Sequence, residues 1–177
     1  MLIGLIGTSS AANDAARYFE KNFNFRHFQF LDHVKLLCEL LYNFSYNENN
    51  AHVCVPGFAY SPNQIIAQVD HFLRNIQPFV FQQNLIVNPF ENVIVSDVFY
   101  SEDVQRIKHL HGITIRLREK NSPNQISPFL CTDYVIEFDN DTNLQARFDE
   151  IYHSLLKKKS PFQEEKILGT FQKKLSK

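Results

Sequence analysis

Tryptophan is absent from the 177 residues, and there are only one methionine, five glycines and three cysteines. The cysteines, Cys38, Cys54 and Cys131, lie at wide and irregular spacing. They give neither a disulfide framework nor a zinc-ligand pattern, so a reducing compartment is expected. No apolar run approaches the ~18 residues of a spanning helix, and the opening MLIGLIGTSS lacks the basic stretch that begins a secretory signal. Together these absences exclude a membrane-spanning reading and lead to the expectation of a soluble, intracellular protein. What is abundant is Phe, at seventeen residues, and Asn. That bias matches the product of an AT-rich genome, such as that of a large DNA virus or phage.

With 44% apolar and 21% charged residues, the chain is long enough to bury one sizeable core and is not a disordered polymer. Its formal net charge of -1 conceals an asymmetry. Residues 157–177 hold seven Lys against Glu164 and Glu165, a net of +5, which leaves -6 on residues 1–156. The acidic body repels nucleic acid, and only the tail attracts it. The expected organisation is a domain over 1–156 and a basic extension over 157–177. In the extension Leu168, Phe171 and Leu175 fit one helical face, suited either to an acidic protein surface or to phosphates, or to a solvated terminus.

Hydrophobic patterning alternates between short strands and helices. LIGLIG at the start reads as a strand, and Ala15, Ala16, Phe19 and Phe23 then recur at helical spacing. RHFQF (26–30) reads as a half-buried strand, and Val34, Leu37, Cys38 and Leu41 form the next helical stripe. Ser61 is placed to cap a helix with Pro62 at its first position, followed by Ile65, Ile66, Val69, Phe72, Leu73 and Ile76. Residues 77–91 show no clear period and read as loop or short helix. The β-branched run NVIVSD (92–97) has the character of a strand buried on both faces. A helix capped by Ser101 and closed by Gly112, a strand over 113–117, a Pro-containing loop, a strand over 134–138 and a helix opened by residues 139–142 complete the series. Such alternation specifies an α/β fold with a parallel sheet, whose ligands lie beyond the carboxyl ends of the strands. The loops after residues 7, 30 and 97 are therefore the candidate site.

Gly4–Asp14 stands where a phosphate-binding loop joins a first strand to a first helix. A Walker A loop reads G-x-x-x-x-G-K-S/T, its Lys reaching the β and γ phosphates. With Gly7 as first glycine, Ala12 takes the place of the second and Asn13 that of the Lys. An amide cannot offset the charge that develops in phosphoryl transfer. Read alone, the segment is equally an ordinary capped helix start, since Ser9, Ser10 and Asp14 are common capping residues.

Five segments carry a resemblance to a known family. Gly4–Asp14 resembles a degenerate form of the opening of phage-type deoxynucleoside monophosphate kinases, within the P-loop nucleotide kinases. FLDHVK (30–35) resembles their Phe-Ala-Asp-Pro-Leu-Lys segment. Residues 92–112 resemble their buried strand ending Ser-Asp-Val-Arg with its acidic helix start and closing glycine. ITIRLRE and DYVIEFDNDTNL resemble their last two strands and the turn into the final helix. The resemblance covers residues 1–156 and implies a three-layer fold with a mainly parallel five-stranded sheet flanked by helices.

It implies, too, a site and its losses. Gly7, Thr8, Ser9, Ser10, Ala11, Ala12, Asn13 and Asp14 match the phosphate loop; Asp32 and Lys35 match the acceptor-nucleotide side; Asp97 matches the strand-end carboxylate that organises magnesium or substrate; Arg116 and Arg118 match groups approaching base or phosphate. Asn13 in place of the Lys, Phe99 in place of the Arg after Ser-Asp-Val, and a short 77–91 segment remove two phosphate contacts and one substrate-side element. The implied protein is kinase-derived and without turnover, serving a viral or phage assembly through its Phe-rich loops and basic tail. The alternatives are an active kinase, with ATP and Mg, in which Lys21, Lys35 or an Arg substitutes, and a sensor holding a phosphate on the N–H groups of residues 8–13. Asp32 and Asp97 read equally as solvated or capping carboxylates, and Arg116 and Arg118 as exposed strand charges. The scattered histidines share no metal-ligand spacing, so no metal site is expected.

Overall fold

The computed structural model describes residues 1–47, 49–88, 90–120, 130–139 and 143–159, without the side chains of Ser9, Lys158 and Lys159. The described residues hold five strands and five α-helices: β1 (Leu2–Ile6), α1 (Ser9–Phe23), β2 (Arg26–Phe28), α2 (Asp32–Tyr42), α3 (Pro62–Ile76), β3 (Val93–Val95), α4 (Ser101–His109), β4 (Ile113–Glu119), β5 (Tyr134–Phe138) and α5 (Leu144–Lys159). Among the described residues of 77–91, a 3-10 turn at Gln82–Asn84 is the regular structure. The sheet order is β2-β3-β1-β4-β5. β1 runs parallel to β3 and to β4, and β2 runs parallel to β3. This is a mainly parallel, five-stranded α/β arrangement. The chain divides into two compact units, Met1–Glu137 and Phe138–Lys177. In the second unit α5 has Phe148 and Leu155 buried.

β1 lies at the centre of the sheet, and all five of its residues are buried. Its side chains alternate between two cores. Leu2 and Ile6 join Val34 and Cys38 of α2, Ile65 and Ile66 of α3, and Val104 and Ile107 of α4. Ile3 and Leu5 point to the opposite face. There α1, which packs on β1, β2 and β3, contributes buried Ala12, Ala15, Ala16 and Phe19. Helices on both faces of the sheet make three layers.

Close approach decides two glycines. A Cβ on Gly4 would lie 2.3 Å from Ile107 Cδ1, so the absent side chain lets α4 rest on the sheet. A Cβ on Gly112 would come within 2.8 Å of Ile107 Cγ2 and Leu2 Cγ, and 2.9 Å of the Ile107 carbonyl. Gly112 therefore serves α4 by making room. The left-handed turn that ends the helix falls on His111, at φ 57°. Asn24 and Asn43 end α1 and α2 in the same conformation.

Helix starts also differ in detail from expectation. Ser61 caps α3 through a reciprocal box with Gln64, as expected. For α4 the N-cap is Tyr100, and Ser101 is already helical, because Asp103 turns its carboxylate back to the N–H groups of Phe99 and Tyr100. In α2 the expected stripe is half correct: Val34 and Cys38 are buried, whereas Leu37 and Leu41 are exposed. Apolar residues at 34, 36, 37, 38, 40 and 41 spread over about 200° of that helix, so periodicity does not single out the buried part of it. The expected opening of the last helix at 139–142 lies largely outside the described residues, as do residues 160–177 of the tail.

Substituting Gly112→Ala forces the start of β4 away from α4 and is expected to cost about 1–3 kcal/mol in denaturant unfolding. Gly57→Ala, at φ 83° but with nothing within 4 Å of its Cβ, tests backbone strain alone.

Candidate functional site

A cleft of about 300 Å³ opens beyond the carboxyl ends of β2 and β3. This is where ligands are received in parallel α/β sheets. Gln29 stands one residue past β2, and Ser96 and Asp97 follow β3 directly. Asn13 enters from α1, Lys35 from α2, Ala67 and Asp70 from α3, and Phe99 and Tyr100 from the start of α4.

One hydrogen-bonded chain crosses its floor. Gln29 Nε2 donates to Asn13 Oδ1 at 2.8 Å and to Ser96 Oγ at 2.9 Å. Ser96 Oγ donates to Asn13 Oδ1 at 2.9 Å, and His27 Nε2 lies 2.6 Å from the same hydroxyl. With that one hydroxyl proton committed to Asn13, His27 carries its own proton on Nε2. Burial lowers the His27 pKa below the ordinary 6.5, with Glu20 acting in the opposite sense. At the other end Lys35 Nζ donates to Gln29 Oε1 at 2.7 Å and to Asp32 Oδ1 at 3.1 Å, and lies over the Tyr46 ring at 5.6 Å.

Asp97 is turned inward. Its two oxygens accept the N–H groups of Phe30 at 2.9 Å and Leu31 at 2.8 Å, tying the end of β3 to the entry of α2. Burial raises its pKa from 3.8 to about 7, against the lowering effect of those two bonds. Behind it lies a buried ionic cluster. Arg74 donates to Asp70 at 2.9 Å and to Asp103 at 3.0 Å, and its guanidinium sits 4.1 Å from the Tyr100 ring centre. Tyr100 Oη donates to Asp70 Oδ2 at 2.8 Å, and Gln82 to Asp103 at 2.5 Å. Burial alone would lower the Arg74 pKa; Asp103 and Asp70 outweigh it and hold the side chain protonated.

Asn13, Lys35, Asp97 and Phe99 meet in this cleft, and Asp32 joins them through Lys35. Arg116 and Arg118 do not line it. The first donates to the carbonyl of Leu130 at 2.8 Å, and the second pairs with Glu137. Lys21, in the last turn of α1, is outside it.

The predicted phosphate loop takes a different form. Only Gly7 and Thr8 separate β1 from α1; Ser9, Ser10, Ala11, Ala12, Asn13 and Asp14 are helical. Ala12 N–H already donates to the carbonyl of Thr8 at 2.9 Å, and the helical ladder takes the N–H groups that follow. The N–H groups open to an anion are those of the first turn alone, rather than the set over residues 8–13. Asp14 lies on the surface, 3.8 Å from Arg17.

ATP with magnesium does not fit these residues. Two connecting residues do not wrap a phosphate chain, and Asn13 Oδ1 is saturated by two donors. Both oxygens of Asp97 are engaged by backbone. Lys35, the one cation among the described lining residues, is paired with Asp32 and shares the lining with Asp70 and Asp97, so a polyanion meets a wall that is neutral to negative. No group of three or more His, Cys, Asp or Glu among the described residues is placed to hold a metal ion. No described helix is long and apolar enough to cross a membrane, and the three cysteines are free thiols.

Gln29, Ser96, His27 and Tyr100 were not singled out by sequence. Their signal is position after a strand, which is visible only once strand ends are known. Asp70 and Arg74, an i, i+4 pair within an otherwise apolar helix, did carry a readable sign.

No protein-family model matches the chain, and no curated protein matches it in sequence. Among solved structures it is similar to the crystal structure of a "putative kinase" from Chloroflexus aurantiacus J-10-fl, at a TM-score of 0.46 and 12% identity, covering 88% of this chain and 96% of that one. Neither a family nor an activity follows from a likeness of that degree.

Two outcomes are expected. Replacing Gln29 by Ala leaves Lys35 and Asn13 short of a partner and destabilises the protein by about 1–3 kcal/mol in denaturant unfolding. For Asp97, a folded pKa raised above the unfolded 3.8 gives stability that is complete below 3.8 and lost as pH passes about 7. Thermal midpoints of wild type relative to Asp97→Asn should therefore fall from about pH 5 to about pH 8; a gap that widens in favour of wild type would contradict the assignment.

Proposed function

We propose that this chain is a nucleotide-kinase-type fold that transfers no phosphate and serves as a structural or protein-interaction component of a viral or phage assembly. The observation that carries the reading is the two-residue connection from β1 to α1, with Asn13 held inside the helix by Gln29 and Ser96. Phosphoryl transfer depends on cations and N–H groups placed around the migrating group. Here the first helix occupies the space such a loop would need, and Phe99 stands where the resemblance places an Arg. The interaction role draws support from apolar side chains left in the open. Phe90 is 95% exposed, and Phe58, Tyr60, Phe72 and Phe79 are exposed as well. Contact through the basic tail, with protein or nucleic acid, belongs to the same proposal.

A coupled ADP-release assay with ATP–Mg and each deoxynucleoside monophosphate is expected to give no turnover. Thermal unfolding with the same ligands is expected to give no shift, where a ligand at ~100 times its dissociation constant adds about 2.7 kcal/mol. Turnover that disappears in Asp97→Ala would overturn the proposal in favour of an enzyme. A shift without turnover would replace it with a nucleotide sensor.

A further inference from the structure

Most polar groups lining the strand-end cleft are spent on one another, and those that are not share one character. Asp97 holds the Phe30 and Leu31 backbone, Asp70 takes Arg74 and Tyr100, and Gln29 Oε1 takes Lys35. Lys35 is equally committed, to Gln29, to Asp32 and to the face of the Tyr46 ring. Two side-chain amide NH2 groups are left. Lys35 fixes the first, since its ammonium requires Oε1 of Gln29, which turns Gln29 Nε2 toward Asn13 and so requires Oδ1 of Asn13 at that contact. Asn13 Nδ2 is thereby left over. At the second, Tyr46 Oη donates to Asn63 Oδ1 at 3.0 Å, which leaves Asn63 Nδ2. Neither NH2 group donates to a described residue, neither is shut away from solvent, and both residues line the cleft.

We propose that the cleft binds a small uncharged molecule whose polar points are carbonyl oxygens, which accept from the amides of Asn13 and Asn63 while its apolar body lies on Leu31, Ile66 and Phe99. Donors without charge select acceptors without charge. An anion would meet Asp70 and Asp97 with Lys35 already paired, and a cation would have to draw a carboxylate from the partner it has. A carbonyl oxygen needs neither exchange, and it satisfies an N–H otherwise left to water. Volume agrees, since about 300 Å³ is the lower end of the range of small-molecule sites. So does the lining, in which apolar and aromatic side chains surround a few unspent polar points. Such a ligand differs in charge from the phosphorylated nucleotide that the family resemblance implies, and its binding holds whether or not the chain joins an assembly.

Proton–nitrogen NMR titration of the full chain tests this with three probes. Diketopiperazine carries two carbonyls on an uncharged ring, piperazine is the same ring as a cation without carbonyls, and N-acetylglycine is a carbonyl-bearing anion of similar size. Diketopiperazine is expected to shift the side-chain amide signals of Asn13 and Asn63 in a saturable way, with a dissociation constant on the order of 1–10 mM for so small a molecule. Each charged probe is expected to bind at least about 10-fold more weakly. Asn63→Asp keeps an oxygen for Tyr46 and exchanges the donor for an acceptor, so it is expected to weaken diketopiperazine more than about 10-fold, read from the Asn13 signal. Asn13→Asp makes the same exchange beside Gln29 and Ser96, is read from the Asn63 signal, and serves if the first variant does not fold. The proposal is overturned by the lack of a saturable shift up to about 50 mM, by a charged probe bound as tightly, or by Asp variants that bind diketopiperazine as wild type does.

Discussion

Enclosure of β1 is the constraint on which the first unit depends. The strand is hydrogen-bonded to β3 along one edge and to β4 along the other, and it has helices above and below. A backbone so enclosed has its polar groups satisfied by the ladder, and its side chains must be apolar or missing. Leu2, Ile3, Leu5 and Ile6 meet the first condition, and Gly4 meets the second where Ile107 presses in. Because β1 is fixed from both sides, the ends of β2 and β3 are carried to one edge of the sheet. The cleft is the space left between those ends and the helices that follow them.

The cleft is then shaped by polar groups that face inward. Asp97 spends both oxygens on the Phe30–Leu31 backbone, so the entry of α2 is held to the end of β3. Arg74 bridges Asp70 on its own helix to Asp103 at the start of α4, with Tyr100 and Gln82 closing the set. Buried ion pairs add little net stability beside a well-packed apolar alternative, but leaving one partner alone costs several kcal/mol. Such a cluster therefore fixes the relative placement of α3 and α4 more than it strengthens the fold. The same groups that define the walls are occupied by one another, which is why a well-formed cleft offers so little to a charged ligand.

Strand and helix order were legible because each element carries its own short-range signature: β-branched residues in NVIVSD, the Ser61–Pro62 start, the acidic first turn of α4. The strand-end rule pointed to the loops after residues 7, 30 and 97; residues after 30 and 97 line the cleft, whereas Gly7 and Thr8 are not among its lining residues. Three things were not legible. Where α1 begins is a matter of two residues, and Ser9, Ser10 and Asp14 suit a loop or a first turn equally. Which part of α2 is buried is not set when apolar residues spread over more than half of its circumference. Contacts such as Gln29 to Asn13 join residues brought together only by the crossing of the chain. Asp103 illustrates the last case: it stands in the acidic first turn of α4, yet its carboxylate is the buried partner of Arg74.

The brevity of the connection between β1 and α1 bears on redesign. A lysine placed at position 13 would enter the second turn of a helix, beside Gln29 and Ser96. It would stand there with no loop to give it a phosphate, so one substitution does not make a phosphate site and residues would have to be inserted between Ile6 and Ser9 as well. The length of a connection is as much a part of this architecture as the identity of its side chains.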